Sequence, residues 1–111
     1  MNQVKHRDLK EQNNFRKFGD DFTKIYSDDD RHIYVFKRSH KFTKHNGVKV
    51  EIVAYEVIKG VKRNNPDGTV AFTYPSSEQF GLYGYTIFGT EDECKRRISS
   101  LINQFEWQNT K

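Results

Sequence analysis

The sequence predicts an α+β fold: an antiparallel β-meander sheet of four or five strands, with a C-terminal amphipathic helix packed on one face. Three features indicate this: short runs rich in β-branched and aromatic residues, turn-type clusters between them, and one helical stripe near the end. At 111 residues the chain fits a single domain, 1–111. With 34% apolar and 14% aromatic residues, its core must be built from few, large side chains.

We expect residues 1–19 to form a short N-terminal helix or a flexible arm. Val4, Leu9, Phe15 and Phe18 match helical spacing only loosely, and Gly19 suits the residue that ends a helix. The start of the chain lacks the apolar stretch of a signal peptide, and no apolar run approaches the roughly 20 residues that span a bilayer.

The strands are predicted from the turns that separate them. The turn-type clusters are Ser27-Asp28-Asp29-Asp30, His45-Asn46-Gly47 and Asn64-Asn65-Pro66-Asp67-Gly68. The strands are expected near residues 22–26, 31–38, 48–63, 69–74 and 81–88. Gly60 interrupts the longest of these strands, where it predicts a bulge or a bend.

The final helix is predicted over residues 91–106. Thr90 and Glu93 form a capping box, in which each side chain bonds to a free backbone N–H at the helix start. One stripe of apolar residues follows: Cys94, Ile98, Leu101, Ile102 and Phe105.

The central strands are apolar on both faces. Ile33 and Val35 alternate with Tyr34 and Phe36, and the strand after Gly47 behaves alike. A half-exposed antiparallel sheet should instead alternate apolar with polar residues. Because one helix covers one face only, the second face must meet the N-terminal segment, a second subunit or a binding partner.

Positive charge is concentrated in one third of the chain. Residues 31–63 hold 9 Lys/Arg and 2 Asp/Glu, a net +7, whereas the whole chain carries +4. A focused basic patch favours an anionic partner such as nucleic acid, although a charged hairpin that only resists aggregation is the alternative. The candidate binding residues are Lys37, Arg38, Lys41, Lys44, Lys49, Lys59, Lys62 and Arg63.

The sequence offers little support for catalysis, a metal or a cofactor. His40 and His45 do not have a recognised metal-ligand spacing. Glu56 and Lys59 are three residues apart and point to opposite faces of an unbulged strand, unlike the Glu-x-Lys pair of many nucleases. Cys94 lies on the apolar stripe of the helix, where a buried, inert thiol is expected. We therefore predict a non-enzymatic protein without a cofactor.

The stretch Tyr74-Pro75-Ser76-Ser77-Glu78-Gln79-Phe80-Gly81, followed by Tyr83-Gly84-Tyr85 and a capped helix, resembles small proteins of bacteriophages and mobile elements. Some proteins of that class inhibit host defence, and anti-CRISPR proteins are among them. A looser similarity links the sheet-then-helix order to integrase arm-type DNA-binding domains and related plant domains, which read the major groove with a sheet. The arginine and tryptophan pattern of those domains is missing here.

From these observations we expect a phage or mobile-element accessory protein that acts by binding. The leading hypothesis is an inhibitor of a host nucleic-acid-targeting defence system, whose partner is a host protein or nucleoprotein complex. The alternatives are a DNA- or RNA-binding module that uses the basic hairpins of residues 31–63, and a homo-oligomeric structural protein such as a homodimer. The single cysteine fits the reducing cytoplasm of a host cell.

Overall fold

The computed structural model describes residues 6–109, with side chains to residue 105, and it confirms the α+β fold class. The elements are a 3-10 turn at Leu9–Glu11, β1 (Asn14–Lys17), β2 (Asp20–Asp28), β3 (Ile33–Thr43), β4 (Lys49–Lys59), β5 (Val61–Asn64), β6 (Val70–Thr73), a second 3-10 turn at Ser77–Gln79, β7 (Gly84–Ile87) and α1 (Glu91–Asn109). Residues 1–5 of the predicted N-terminal arm lie outside the described residues.

The main sheet has five antiparallel strands in the order β1-β2-β3-β4-β7. The predicted meander order holds for β2 to β4, after which β5 and β6 pair with each other in a separate two-stranded sheet. The chain leaves the main sheet at Gly60, at the predicted bend. A Cβ on Gly60 would lie 2.8 Å from the Cβ of Phe72, so the close approach of β6 requires glycine here.

The expectation of an N-terminal helix over residues 1–19 is wrong for the described part of that range. Only Leu9–Glu11 forms a 3-10 turn, and β1 then pairs with β2. The ring of Phe15 stacks on that of Phe22 with 4.7 Å between centroids, a contact that the strand pairing creates. Phe18 and Gly19 have φ values of 57° and 77°, so Gly19 belongs to a two-residue hairpin turn rather than to a helix end.

Helix α1 covers one face of the main sheet, as predicted. Thr90 and Glu93 form the expected capping box, with both hydrogen bonds at 3.3 Å. The core on this side consists of Ile33, Val35, Val57 and Ile87 from the sheet and Cys94, Leu101 and Phe105 from the helix. No helix among residues 6–109 is both long and apolar enough to cross a bilayer.

The second face of the sheet is covered by the chain itself. Tyr34, Phe36 and Ile58 are fully buried there. Leu9 packs over them from the N-terminal segment, and Tyr74 and Phe80 do so from the segment that follows β6. Of the three covers compatible with the sequence, the N-terminal segment is the one observed, and the segment after β6, which was not predicted as a cover, adds to it. This face needs no second subunit to be buried.

Leu9→Ala should be costly if this cover stabilises the fold, because Leu9 is fully buried and its truncation leaves a cavity. We expect a loss of about 2–5 kcal/mol in the free energy of unfolding, measured by urea denaturation. Leu82→Ala is the control, because Leu82 is 61% exposed and should change the free energy by less than about 0.5 kcal/mol. Equal, small effects of the two substitutions would show that this cover does not stabilise the fold.

Candidate nucleic-acid interface

The outer halves of β3 and β4 form a free two-stranded ribbon, residues 40–52, hereafter the ribbon. Pairing between β2 and β3 ends at Asp21 and Ser39, and pairing between β4 and β7 begins at Tyr55 and Ile87. Beyond these points β3 and β4 pair only with each other. Residues 40–49 are all exposed, so the ribbon projects from the sheet with solvent on both faces.

The predicted hairpin turn closes the ribbon at its tip. The N–H of Lys44 donates to the carbonyl of Val48 at 2.8 Å, and the N–H of Gly47 donates to the carbonyl of Lys44 at 2.9 Å. Gly47 has a φ of 83°, which glycine adopts without strain. The Asn46-Gly47 signal in the sequence is thereby confirmed as a hairpin turn.

Four of the eight predicted binding residues lie together on the ribbon or at its base. Lys37, Lys41 and Lys49 share the α1 side of β3 and β4, and Lys44 lies at the turn. One acidic side chain accompanies them: Glu51 accepts a hydrogen bond from the Ser39 hydroxyl and lies 3.9 Å from the Lys41 ammonium group. The surface therefore carries a clear excess of positive charge.

The other predicted residues lie elsewhere. Lys59 is at the opposite end of β4, where its ammonium group donates to the Arg31 carbonyl at 2.8 Å and burial lowers its pKa. Lys62 and Arg63 are on β5, in the second sheet. Arg38 is on β3 but faces away from α1. The structure thus divides a patch that is continuous in sequence among separate surfaces.

Arg38 lies in a network of ionisable groups at the base of the ribbon. Its Nε is 2.5 Å from Asp20 Oδ2 and its Nη1 is 2.7 Å from Glu56 Oε1. His40 Nδ1 lies 2.5 Å from the other oxygen of Asp20. Asp20 and Glu56 are both buried, so Arg38 supplies the positive charge that their burial requires. Much of its charge is therefore committed within the protein.

Two further hydroxyl groups complete the environment of Glu56. The Tyr74 hydroxyl donates to Oε2, and the Thr86 hydroxyl donates to Oε1 at 3.3 Å. Burial, together with the Glu56 carboxylate, raises the pKa of Tyr74. Because β2, β3, β4, β7 and the segment after β6 all contribute, the network ties the base of the ribbon to the rest of the sheet.

The predictions from sequence did not include this network, although the chain carries one signal for it. Glu56 is the only charged residue in the otherwise apolar run Ile52–Ile58, and a charge placed so must be exposed or paired. Its partners Arg38, Tyr74 and Thr86 are 18, 18 and 30 residues away in the chain, and no local pattern identifies them. As alternation predicted, Glu56 and Lys59 lie on opposite faces of β4.

The described residues contain no group of three or more His, Cys, Asp or Glu side chains that could hold a metal ion. His40 contacts Asp20, and the ring centroids of His40 and Phe42 are 5.6 Å apart. Cys94 is buried in the core beneath α1, where burial raises the pKa of its thiol. A raised pKa disfavours the reactive thiolate, in agreement with the structural role expected for this residue.

Comparison with known proteins gave no match: no protein-family model, no curated protein sequence and no solved structure is significantly similar to this chain. The resemblance to phage and mobile-element proteins therefore stays a prediction, and so does the inhibitor function that it implies.

The network predicts a specific loss of stability in acid. The hydrogen bond from Arg38, assisted by His40, holds the pKa of Asp20 below its ordinary value of 3.8. The stability that the ionised carboxylate contributes is thus fully present above that value and is lost as the pH falls below it. We expect Asp20→Asn to reduce the dependence of the free energy of unfolding on pH between about pH 5 and pH 2.

Asp21→Asn is a matched control for this measurement. Asp21 is the next residue of β2, but its side chain is 54% exposed and lies 3.7 Å from an exposed Arg16. Its substitution should leave the acid dependence close to that of the natural sequence, because exposed ion pairs contribute little. If the two variants had the same acid dependence, Asp20 would not be the group that links stability to pH.

Proposed function

We propose that this protein binds nucleic acid through the ribbon. The observation that carries the proposal is that a two-stranded segment projects beyond the sheet with lysines on one face and at the tip. The strands put Lys37 and Lys49 on a common face about 20 Å apart, since Lys49 pairs with Thr43 and each residue advances about 3.4 Å. That distance corresponds to about six base pairs of duplex at 3.4 Å each.

The shape of the ribbon suits a groove of nucleic acid. The major groove of B-form DNA is about 12 Å wide and admits a two-stranded β-ribbon. Because residues 40–49 are all exposed, no neighbouring strand would block entry of the tip. Lys44 and His45 at the tip would then approach the duplex first, while Lys37 and Lys41 lie nearer the sheet.

The composition of the surface favours binding without strong sequence preference. All four of its permanent cations are lysines, which bind phosphate as flexible point charges. Arginine makes the commonest specific contact, to guanine, but Arg38 at the base of the ribbon already pairs with two carboxylates. Affinity should therefore come mainly from phosphate contacts and fall as salt rises.

Removing the four lysines should abolish this binding. In Lys37→Gln/Lys41→Gln/Lys44→Gln/Lys49→Gln we expect the affinity for a labelled 20-base-pair duplex, measured by fluorescence anisotropy, to fall by tenfold or more. The slope of the logarithm of affinity against the logarithm of salt concentration should become smaller by about 3–4, since each lost phosphate contact contributes about 0.9.

A second variant controls for net charge. Lys10, Lys95, Arg96 and Arg97 are exposed cations on elements other than the ribbon. Their simultaneous replacement by Gln removes the same total charge and should change affinity and slope far less. Equal losses in the two variants would show that only net charge matters, and absence of binding by the natural sequence would refute the proposal.

A second candidate function is the inhibitor of host defence that the phage resemblance implies, acting in the cytoplasm of the host cell. One observation favours a protein partner: the other face of the ribbon is apolar and accessible. Phe42 and Ile52 are 38% and 46% exposed, and Phe88 beside them is 67% exposed. Apolar side chains grouped on a projecting segment are typical of protein contact surfaces.

The apolar face separates the two candidates. We expect Phe42→Thr/Ile52→Thr to keep the affinity for duplex DNA, because threonine preserves strand propensity and the lysines are unchanged. If the protein is an inhibitor, its expression in a bacterium with an active CRISPR system should restore plaque formation by a targeted phage. This variant should then fail to do so. Val70→Thr/Leu82→Thr, at exposed positions outside the ribbon, is the control, and failure of the natural sequence to restore plaques would argue against inhibition.

A further inference from the structure

We propose a second anion site, distinct from the ribbon, that binds the phosphate group of a nucleotide unit. It is a cleft of about 600 Å³ between the N-terminal segment, β1 and the second sheet. Five basic side chains line it, from three separate parts of the chain: His6, Arg7, Arg16, Lys17 and Arg63. No Asp or Glu is among its lining residues in the described part of the chain.

The backbone on both sides of Arg7 is fixed to other elements. The N–H of His6 donates to Asn65 Oδ1 at 2.8 Å, and the carboxylate of Asp8 accepts the N–H of Phe72 at 3.0 Å. Gln12 adds a bond from its side chain to the Arg7 carbonyl at 3.4 Å. The bonds to Asn65 and Phe72 hold the N-terminal segment against the second sheet. Arg7 and Arg63 therefore face one cleft before any ligand arrives, which lowers the entropic cost of binding.

The charge in the cleft is largely available to a ligand. Among the described residues, neither Arg7 nor Arg63 forms an ion pair. Arg16 lies 3.7 Å from Asp21, but both side chains are mostly exposed, so solvent screens that pair. Four permanent cations around one concave surface add their potentials and favour an anion. The planar guanidinium groups of arginines match the geometry of oxyanions rather than of a halide. Four permanent cations suit the charge of about −2 on a phosphate ester better than the single charge of a carboxylate.

An exposed aromatic ring beside the cleft indicates what the phosphate is attached to. Phe18 does not line the cleft but contacts two residues that do: its ring centroid lies 5.2 Å from the Lys17 ammonium group and 6.3 Å from the ring centroid of Tyr74. The Arg38 guanidinium group lies 5.4 Å from the same ring. Phe18 is 67% exposed at a φ of 57°, a conformation that is strained for a bulky side chain. Strain of this kind is concentrated at functional sites. A nucleobase could stack on this ring while its phosphate occupies the cleft.

The cleft is separate from the ribbon, and binding in the cleft does not depend on the function proposed for the ribbon. Its walls include Leu9, Phe15 and Tyr74, which belong to the core on the side of the sheet opposite α1. Lys37 at the base of the ribbon and Lys41 and Lys49 on the ribbon lie on the α1 side. An anion in the cleft therefore cannot contact those lysines, and the two sites can be tested one at a time.

The test uses the full chain carrying the ribbon substitutions Lys37→Gln/Lys41→Gln/Lys44→Gln/Lys49→Gln, so that the ribbon contributes nothing. Amide chemical shifts are followed by NMR during titration with adenosine monophosphate and, separately, with inorganic phosphate. We expect shifts around Arg7, Lys17 and Arg63. Adding Arg7→Gln/Arg63→Gln should lower the affinity for both ligands by tenfold or more. Adding Lys10→Gln/Lys62→Gln, which changes the neighbouring cations instead, should leave both affinities unchanged.

A further variant tests the stacked base. Asn is favoured in turns of this type, so Phe18→Asn should keep the hairpin while removing the ring. We expect this substitution to lower the affinity for adenosine monophosphate by about tenfold, as loss of one stacking contact does. The affinity for inorganic phosphate should stay unchanged. A short single-stranded oligonucleotide distinguishes the source of the ligand. Tighter binding than that of the monophosphate indicates a nucleic-acid strand, and equal or weaker binding indicates a free nucleotide.

Three results would overturn this proposal. One is that neither phosphate ligand shifts any amide around the cleft. Another is that Lys10→Gln/Lys62→Gln weakens binding as much as Arg7→Gln/Arg63→Gln does. The third is that Phe18→Asn lowers the affinities for phosphate and for nucleotide equally, which would refute base stacking. Each result would leave the ribbon proposal intact, because the ribbon lysines are absent from the protein used.

Discussion

Burial of β3 and β4 on both faces is the constraint on which the rest of this structure depends. Where Ile33–Phe36 pairs with Glu56–Lys59, apolar side chains project to both sides of the sheet. The chain must therefore supply two covers. Helix α1 provides one, and the N-terminal segment together with the segment after β6 provides the other. Burial of large rings on both sides lets a chain with few apolar residues form a stable core.

The two covers end at the same level of the sheet, and that end defines the ribbon. Neither cover extends past Ser39 on β3 and Ala54 on β4, and most side chains beyond these residues are exposed. The network of Arg38, Asp20 and Glu56 lies at this boundary. Its groups are too polar for the core, yet they are sufficiently buried to need partners. It thereby fixes the ribbon to the sheet at the place where apolar packing stops.

Much of the fold could be predicted from the sequence because its signals are local. The capping box at Thr90, the turn at Asn46-Gly47 and the bend at Gly60 each depend on neighbouring residues, and all three are present in the structure. The N-terminal strand was not predicted. Phe15 is partly buried because it stacks on Phe22, a contact that exists only after β1 has paired with β2, and no local pattern encodes it.

The candidate sites were less predictable, since charge acts through the folded surface rather than along the chain. Residues 31–63 carry +7, yet strand alternation sends Arg38 to one face and Lys37 to the other, and Arg38 is neutralised by acids from β2 and β4. Residues 1–30 hold 6 Lys/Arg and 7 Asp/Glu, so their net charge contains no sign of an anion site.

Even so, those first residues contribute Arg7, Arg16 and Lys17 to a cleft that also contains Arg63. The carboxylates of residues 1–30 do not cancel the charge of these cations as Asp20 and Glu56 cancel that of Arg38. Asp8 accepts hydrogen bonds from the backbone N–H groups of Phe72 and Lys10, and Asp20 pairs with Arg38. Because acids with partners inside the fold repel an anionic ligand less than free acids would, a segment of nearly zero net charge can still form a cationic surface. The number of anion sites is therefore set by which charges remain unpaired after folding.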